Sequence, residues 1–105
     1  MKDKVLSLIS LATKAGKTVS GEFAVEKAVK KRKALVVIVS DEASMRSKKM
    51  YSDMCSFYKV PLYFYGKKEE LGQFTGKTFR VCVGILDEGF KNSIVKQLEL
   101  NSKEI

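Results

Sequence analysis

The sequence predicts an α/β protein, a three-layer α/β/α sandwich with a mixed sheet of about four strands. Helical and strand-like segments alternate along the 105 residues in the order α-β-α-β-α-β-α-β-α, and such alternation packs helices on both faces of one sheet. The segment 35–39 is an unbroken run of Leu, Val and Ile, which is typical of a central strand covered on both faces. No Pro-rich, Gly-rich or Ser-rich linker interrupts the chain. We therefore expect one domain over residues 1–105.

The first half of the chain is predicted to form three helices and two strands. Gly16 ends the first helix, because glycine is the preferred residue just beyond a helix C-terminus. Ser20 and Ser44 precede helical segments, and we expect each serine to cap the helix that follows it. The segments are residues 3–15, 18–19, 21–32 and 35–39, then a helix after Ser44 that carries Met50, Tyr51, Met54, Cys55 and Tyr58 on one face.

The second half is predicted to form two strands and two helices. Pro61 ends the third helical unit, because proline cannot continue a helix. Gly76 is interpreted as the end of a short fourth helix. The four segments cover residues 62–65, 67–73, 80–86 and 88–100.

The charge of the chain is strongly positive and unevenly distributed. Twenty Lys and Arg against twelve Asp and Glu give a net charge of +8. Residues 1–52 hold 12 basic and 5 acidic side chains, a net charge of +7, whereas residues 53–105 hold 8 and 7, a net charge of +1. A basic surface in the first half favours a phosphate-rich partner.

Two residue types exclude several classes of function. The chain has no histidine, which rules out a His-based triad and any His-containing metal site. Cys55 and Cys82 are too few for a disulfide framework or a four-thiolate zinc site, and they are interpreted as small core residues in a reduced, cytoplasmic setting. No stretch approaches the roughly 20 apolar residues of a membrane span. No cofactor is predicted.

The second helix concentrates the positive charge. On a helical wheel its core face consists of Val25, Ala28 and Val29. The opposite face carries Phe23, Lys27, Lys30 and Lys31. An aromatic ring among lysines suits a surface where bases or sugars pack while ammonium groups meet phosphates. Two alternatives stay open: the lysines only solvate the helix, or Phe23 folds back against a neighbouring loop.

The segment 72–78 resembles a phosphate-binding P-loop but has three residues between its glycines where the motif requires four. A P-loop leads from a strand into a helix, whereas Gly76-Lys77-Thr78 is predicted to leave a helix and enter a strand. We therefore expect no nucleotide hydrolysis.

Two Asp-Glu pairs, Asp41-Glu42 and Asp87-Glu88, are the one enzyme-like feature of the sequence. Each pair follows the carboxyl end of a predicted strand, where α/β enzymes often place catalytic groups or Mg²⁺ ligands. Carboxylates at such places also stabilise the first turn of the next helix. A Mg²⁺ site formed by the two pairs is therefore one alternative function.

Segments across nearly the whole chain resemble the kink-turn RNA-binding ribosomal protein superfamily of the L-seven-Ae and L-thirty-e type, and in particular its bacterial YlxQ-like branch. The resemblance rests on the order and spacing of the motifs, among them Ser-Gly-Glu at 20–22, Lys-Ala-Val at 27–29 and Asp-Glu-Gly-Phe at 87–90. The matching stretches are 11–17, 20–29, 34–41, Cys55 with 60–61, 70–72 with Gly76, and 80–90.

This resemblance implies recognition of RNA kink-turns, in which the second helix and the loop before it enter the groove beside sheared G·A pairs. Family members place glycine at the position of Gly21 and, at Lys27, a lysine that reaches a guanine. The family's Asn-Glu pair is replaced here by Phe23 and Ala24, and Glu22 lies one position early. The loop that packs on a flipped-out nucleotide in the family reads Lys-Thr-Phe-Arg at 77–80 in this chain.

The sequence is therefore interpreted as a cytoplasmic, monomeric, non-enzymatic protein that binds structured RNA, with ribosomal RNA among the candidates. Lys27 is expected to contact a base edge or a phosphate, other cations the backbone, and Gly21 is expected to let the RNA approach closely. The residues expected at the RNA surface are Lys14, Lys17, Gly21, Glu22, Phe23, Lys27, Lys30, Lys31, Arg46, Phe79 and Arg80. Besides the Mg²⁺ site, two alternatives stay open: a detached RNA-substrate-binding domain acting with an RNA-modifying methyltransferase, and a basic module that binds an acidic protein.

Overall fold

Helices and strands alternate strictly in the structure, a computed structural model that describes residues 3–103. The five helices are α1 (Lys4–Lys14), α2 (Glu22–Lys30), α3 (Met45–Tyr58), α4 (Lys68–Phe74) and α5 (Glu88–Lys103). The four strands are β1 (Thr18–Ser20), β2 (Val36–Val39), β3 (Leu62–Phe64) and β4 (Cys82–Ile85). The predicted element order is confirmed.

The four strands form one mixed sheet in the order β1-β4-β2-β3. β4 pairs antiparallel with both β1 and β2, through Val19 opposite Gly84 and Val37 opposite Gly84, while β2 and β3 are parallel. Because β4 alone is reversed, it begins on the side of the sheet where the other three strands end. We call this side the first edge, where Ser20, Val39, Phe64 and Cys82 lie. The second edge is the side of Thr18, Val36, Leu62 and Ile85.

Helices cover both faces of the sheet, which confirms the predicted three-layer sandwich. On one face α1, α4 and α5 bury Val5, Leu6, Ile9, Leu71, Ile94 and Leu98 against Val36, Ile38, Val83 and Ile85. On the other face α2 and α3 bury Val25, Ala28, Val29, Tyr51 and Cys55 against Val37, Val39 and Cys82. Each large side chain fully removed from water in this way stabilises the fold by about 1.5 to 3 kcal/mol.

Short polar side chains begin several of the helices. The side chain of Asp3 accepts a hydrogen bond from Leu6 N at 3.0 Å, and Ser44 accepts one from Ser47 N at 3.1 Å. The predicted cap at Ser44 is confirmed. A side-chain acceptor at this position satisfies a backbone N–H that the helix leaves without a partner.

The predicted cap at Ser20 is wrong. Ser20 is the last residue of β1. The N-cap residue of α2 is Gly21, which has no side chain that could cap the helix. The last strand is also shorter than predicted, since Arg80 N donates to Lys68 O of α4 at 3.1 Å instead of joining the sheet. The closing helix α5 extends to Lys103, three residues beyond the predicted end at 100.

Candidate nucleic-acid interface

The start of α2 is joined to the start of β4 at the first edge. Gly21 N donates to Cys82 O at 3.0 Å, and Arg80 Nε donates to Ser20 Oγ at 3.0 Å. Gly21 has φ +91°, which side-chain-bearing residues rarely adopt, and a Cβ there would lie 3.5 Å from Arg80 Nε. The glycine therefore gives α2 its entry angle through its positive φ, and a Cβ there would only be in van der Waals contact with Arg80.

The loop 77–80, which precedes β4, packs against α4 and is hydrogen-bonded to it. Lys77 N donates to Gly72 O at 2.7 Å. A Cβ at Gly72 would overlap the carbonyl group of Thr78 and lie 2.7 Å from Phe79 N, so only glycine allows helix and loop to approach this closely. The loop holds Arg80 beside Gly21 and leaves the Phe79 side chain 59% exposed.

A ridge of exposed side chains runs along α2 away from the first edge, formed by Phe23, Lys27 and Lys31. Phe23 is 80% exposed, so the alternative in which it folds back against a loop is wrong. A shallow groove of about 300 Å³ lies on the side of Glu26 and Lys30. A second groove, of about 350 Å³, is lined by Val19, Phe23, Ala24, Lys27, Ala28, Lys31, Lys33 and Leu86.

The lysines of α2 and its C-cap differ in whether a carboxylate is paired with their ammonium group. Lys30 Nζ lies 2.8 Å from Glu26 Oε2, and this hydrogen-bonded carboxylate raises the pKa of the Lys30 ammonium. Within residues 3–103, Lys27 and Lys31 make no ion pair. The ridge therefore presents two uncompensated ammonium groups together with one aromatic ring, which suits a phosphate-bearing partner with exposed bases.

The structure divides the residues predicted at the RNA surface into three groups. The first edge holds the starts of α2 and α3 and the loop before β4. The predicted residues in this group are Gly21, Glu22, Phe23, Phe79, Arg80 and Arg46. Lys27, Lys30 and Lys31 follow along α2 towards the second edge. Lys14 and Lys17 lie at the second edge, where Lys17 O accepts a hydrogen bond from Leu86 N.

Two residues that build the first edge were not expected to do so. Ser20 anchors Arg80, and Gly72 admits the loop 77–80. The partners in the Ser20 contact are 60 positions apart in the chain, so no local pattern indicates it. The position of Gly72 inside a helix was a signal in the sequence. Glycine lowers helix stability at such a position, which indicates that another part of the backbone approaches closely there.

The structure contradicts the alternative of a Mg²⁺ site formed by the two Asp-Glu pairs. Because β2 and β4 are antiparallel, Asp41-Glu42 follows β2 at the first edge while Asp87-Glu88 follows β4 at the second. Asp87 instead accepts a hydrogen bond from Phe90 N at 3.0 Å at the start of α5. This pair therefore has the alternative role, stabilising a helix start.

Neither the cysteines nor the segment 72–78 offers reactive chemistry. Cys55 and Cys82 are buried, and burial raises the pKa of both thiols to about 11, so they stay protonated at neutral pH and are poor nucleophiles. Gly76 and Lys77 leave α4 and lead towards β4, the reverse of the strand-to-helix order of a P-loop. Between residues 3 and 103 no helix is both long and apolar enough to cross a membrane.

Comparisons with known proteins agree with this geometry. A family model described as "Ribosomal protein L7Ae/L30e/S12e/Gadd45 family" matches residues 3–95. The RNA-binding protein YlxQ of Bacillus subtilis (strain 168) is 37% identical over 92 residues, which are 88% of this chain and 92% of that protein.

Two solved structures share the fold. The structure of a protein with unknown function from Bacillus halodurans C matches with a TM-score of 0.89 at 35% identity, covering 93% of this chain and 99% of that chain. The Giardia lamblia 15.5kD RNA binding protein matches with a TM-score of 0.77 at 18% identity, covering 100% of this chain and 93% of that chain, a likeness of fold alone. The predicted α/β/α architecture is thereby confirmed.

Proposed function

This chain belongs to the ribosomal protein L7Ae/L30e/S12e/Gadd45 family, and from that membership we propose that it binds structured RNA and catalyses no reaction. Similar proteins carry RNA-binding and ribosomal names. The net charge of +8 supplies the long-range attraction that such binding needs.

One observation carries the proposal: the start of α2 and the loop before β4 meet at Gly21 and expose two aromatic rings among cations. Phe23 is 80% and Phe79 is 59% exposed, and Arg80 lies beside Gly21 while Lys27 follows one turn after Phe23. Exposed rings favour stacking on unpaired bases, and the cations favour phosphates and base acceptors. A surface of this kind fits an RNA whose bases are unstacked or whose groove is widened.

We propose the kink-turn as the finer target. Lys27 would donate to a guanine, and Phe79 with Arg80 would contact the unpaired nucleotide of the turn. Phe23 and Ala24 lack the hydrogen-bonding groups of the family's Asn-Glu pair, so we expect only modest selectivity for a kink-turn over a plain duplex. We further propose that residues 1–105 act as one domain, as a monomer, in the cytoplasm.

The test measures the affinity of the protein for a kink-turn RNA and for a straight duplex of the same length and base composition, over a range of salt concentrations. We expect tighter binding to the kink-turn and a steep loss of affinity as salt rises, because roughly four to six cations would displace condensed counterions. Phe23→Asn combined with Ala24→Glu should increase the preference for the kink-turn.

Two outcomes would contradict the proposal, and a third would change which residues are assigned to the G·A pairs. Absence of RNA binding at low salt would leave the basic protein-interaction module as the better interpretation. Equal affinity for both RNAs in every variant would remove the kink-turn and leave general RNA binding. A parent protein that discriminates strongly, with no gain in the double variant, would assign the reading of the G·A pairs to Glu22 or to the loop 77–80.

A further inference from the structure

A second cluster of aromatic and basic side chains lies at the second edge, where α2 and α3 both end. We call it the C-terminal cluster, and it consists of Arg32, Phe57, Tyr58 and Lys59. The ring centroids of Phe57 and Tyr58 are 4.9 Å apart, with the rings edge-on at 77°. The guanidinium carbon of Arg32 lies 5.5 Å from the Tyr58 ring centroid, and Nη1 donates to Tyr58 O at 3.4 Å. The two helix ends are thereby joined into one surface.

The cations of the cluster have a structural explanation that the exposed ring lacks. Arg32 and Lys59 follow the last turns of α2 and α3, both with φ 59°, and cations near helix C-termini stabilise the helix dipole. Phe57, in contrast, is 75% exposed and contributes to neither core. Phe57 and Tyr58 therefore form an aromatic pair beside two cations, and the Phe57 ring is open to a stacking partner.

A second surface phenylalanine differs from Phe57, because a lysine side chain covers its ring. Phe64, on the edge strand β3, is 39% exposed, and Lys48 Nζ lies over its ring, 5.6 Å from the centroid. The Asp53 carboxylate, one helical turn before Phe57, lies 3.1 Å from Lys49 Nζ. This carboxylate is therefore already paired, whereas Arg32 and Lys59 make no ion pair within residues 3–103.

We propose that the C-terminal cluster is a second RNA-contact surface, which binds unpaired nucleotides flanking the structured element held at the first edge. A base would stack on Phe57, while Arg32 and Lys59 would contact the phosphates on either side of it. An unpaired nucleotide fits better than a duplex, because the bases of a duplex are already stacked on one another. This inference rests on the proposed RNA-binding function.

The ridge on α2 connects the two surfaces. Gly21 and Arg32 flank α2, whose nine residues span roughly 14 Å along the helix axis. Lys27 and Lys31 lie between them with no ion pair inside residues 3–103. These two lysines therefore place positive charge between the first edge and the C-terminal cluster, along the path of a strand that would contact both.

A single introduced tryptophan can test this contact, since the sequence has none and an indole can be excited at a longer wavelength than the four tyrosines. Phe57→Trp places an indole in the cluster and keeps a stacking surface, and Phe64→Trp is the matched control. Each variant is titrated with a kink-turn hairpin and with the same hairpin carrying an unpaired extension of about eight nucleotides, a length typical of single-strand sites. We expect the extended RNA alone to quench the indole at position 57, and the extension to make no difference to the indole at position 64, which lies at the first edge.

Affinity provides the second measurement. We expect the parent protein to bind the extended RNA about tenfold more tightly than the hairpin, which corresponds to about 1.4 kcal/mol. Phe57→Ala should abolish this gain and leave both the affinity for the hairpin and the melting temperature unchanged. Phe64→Ala should retain the gain.

The outcomes separate this inference from the proposed function. Binding of the hairpin with no gain from the extension, or an equal loss for both RNAs in Phe57→Ala, would overturn the second surface only. Absence of binding to either RNA would overturn the proposed function as well. Quenching of Phe57→Trp by polyglutamate but not by extended RNA would assign the cluster to an acidic protein and reject an RNA contact.

Discussion

The two ends of α2 are held in different ways. At its start, Gly21 and Ser20 bond to Cys82 and Arg80, and the loop that carries Arg80 is packed on Gly72. At its end, the side chain of Arg32 is joined to α3 by one long hydrogen bond and a cation–π contact. A fixed surface can distinguish one RNA shape from another, whereas cations on flexible side chains supply affinity that depends little on sequence. Shape recognition and general attraction are thus expected at opposite ends of one helix.

The largest effect is expected from a substitution that disrupts the packing of the loop 77–80 on α4, near the start of α2. Gly72→Ala would force α4 away from the loop 77–80, because the added methyl group overlaps the Thr78 carbonyl. We expect a loss of about 3 kcal/mol in the free energy of unfolding, measured by urea denaturation. The affinity for the kink-turn should fall at least about tenfold under conditions where the variant is folded, a loss of about 1.4 kcal/mol.

Gly89→Ala in α5 is the control for this change. A Cβ at Gly89 would lie 3.2 Å from Asp87 Oδ2, the acceptor of the hydrogen bond from Phe90 N, so this side chain would have to move by a few tenths of an ångström. Alanine favours a helix more than glycine does, which offsets that shift. We expect stability and RNA affinity to be unchanged or slightly improved. If Gly72→Ala also left the RNA affinity intact once folded, the loop would not belong to the binding surface.

The next largest effect is expected at Lys27, on the ridge. Lys27→Ala should lower the affinity for the kink-turn by about 1 to 3 kcal/mol if its ammonium group reaches a base. Lys77→Ala, in the exposed loop, should cost little beyond one phosphate contact. Equal losses in the two variants, measured by titration at one salt concentration, would mean diffuse attraction without a positioned site at the first end.

A smaller effect is expected at Phe23. Because this side chain is 80% exposed, Phe23→Ala should leave the melting temperature nearly unchanged. It should still weaken RNA binding by about 1 kcal/mol, the lower range for loss of one stacking contact. An affinity equal to that of the parent protein would show that the ring does not contact RNA.

The smallest expected effect tests the second end of α2. Lys33→Gln removes one exposed cation near Arg32, so the slope of the logarithm of affinity against the logarithm of salt concentration should fall by about one unit. The preference for a kink-turn over a duplex should not change. A change in that preference would mean that the second end also recognises shape.

Local patterns were sufficient to predict the element order and the buried face of α2. Val25, Ala28 and Val29 repeat at helical spacing and are buried, and Phe23 on the opposite face is exposed. Such features depend on residues within a few positions of one another, whose periodicity is visible in the sequence.

The direction of β4 could not be predicted in the same way. Both directions present the same residues to the two helical layers, so the apolar run at 82–85 fits either one. Reversal of β4 separates the two Asp-Glu pairs and brings Arg80 to Ser20. The exclusion of the alternative Mg²⁺ site and the missed contact at Ser20 therefore have one physical origin, pairing between strands far apart in the chain.

The bond between Ser20 and Arg80 also sets an order of events during protein synthesis. Ser20 and Arg80 are 60 positions apart, so α2 leaves the ribosome long before β4 and the loop that precedes it. Until those residues emerge, β1 lacks its partner strand and the start of α2 lacks Arg80. Contacts of such sequence separation form late in folding. A nascent chain would therefore carry the lysines of α2 without the surface that gives them selectivity, and specific RNA recognition would begin only when translation of the domain is nearly complete.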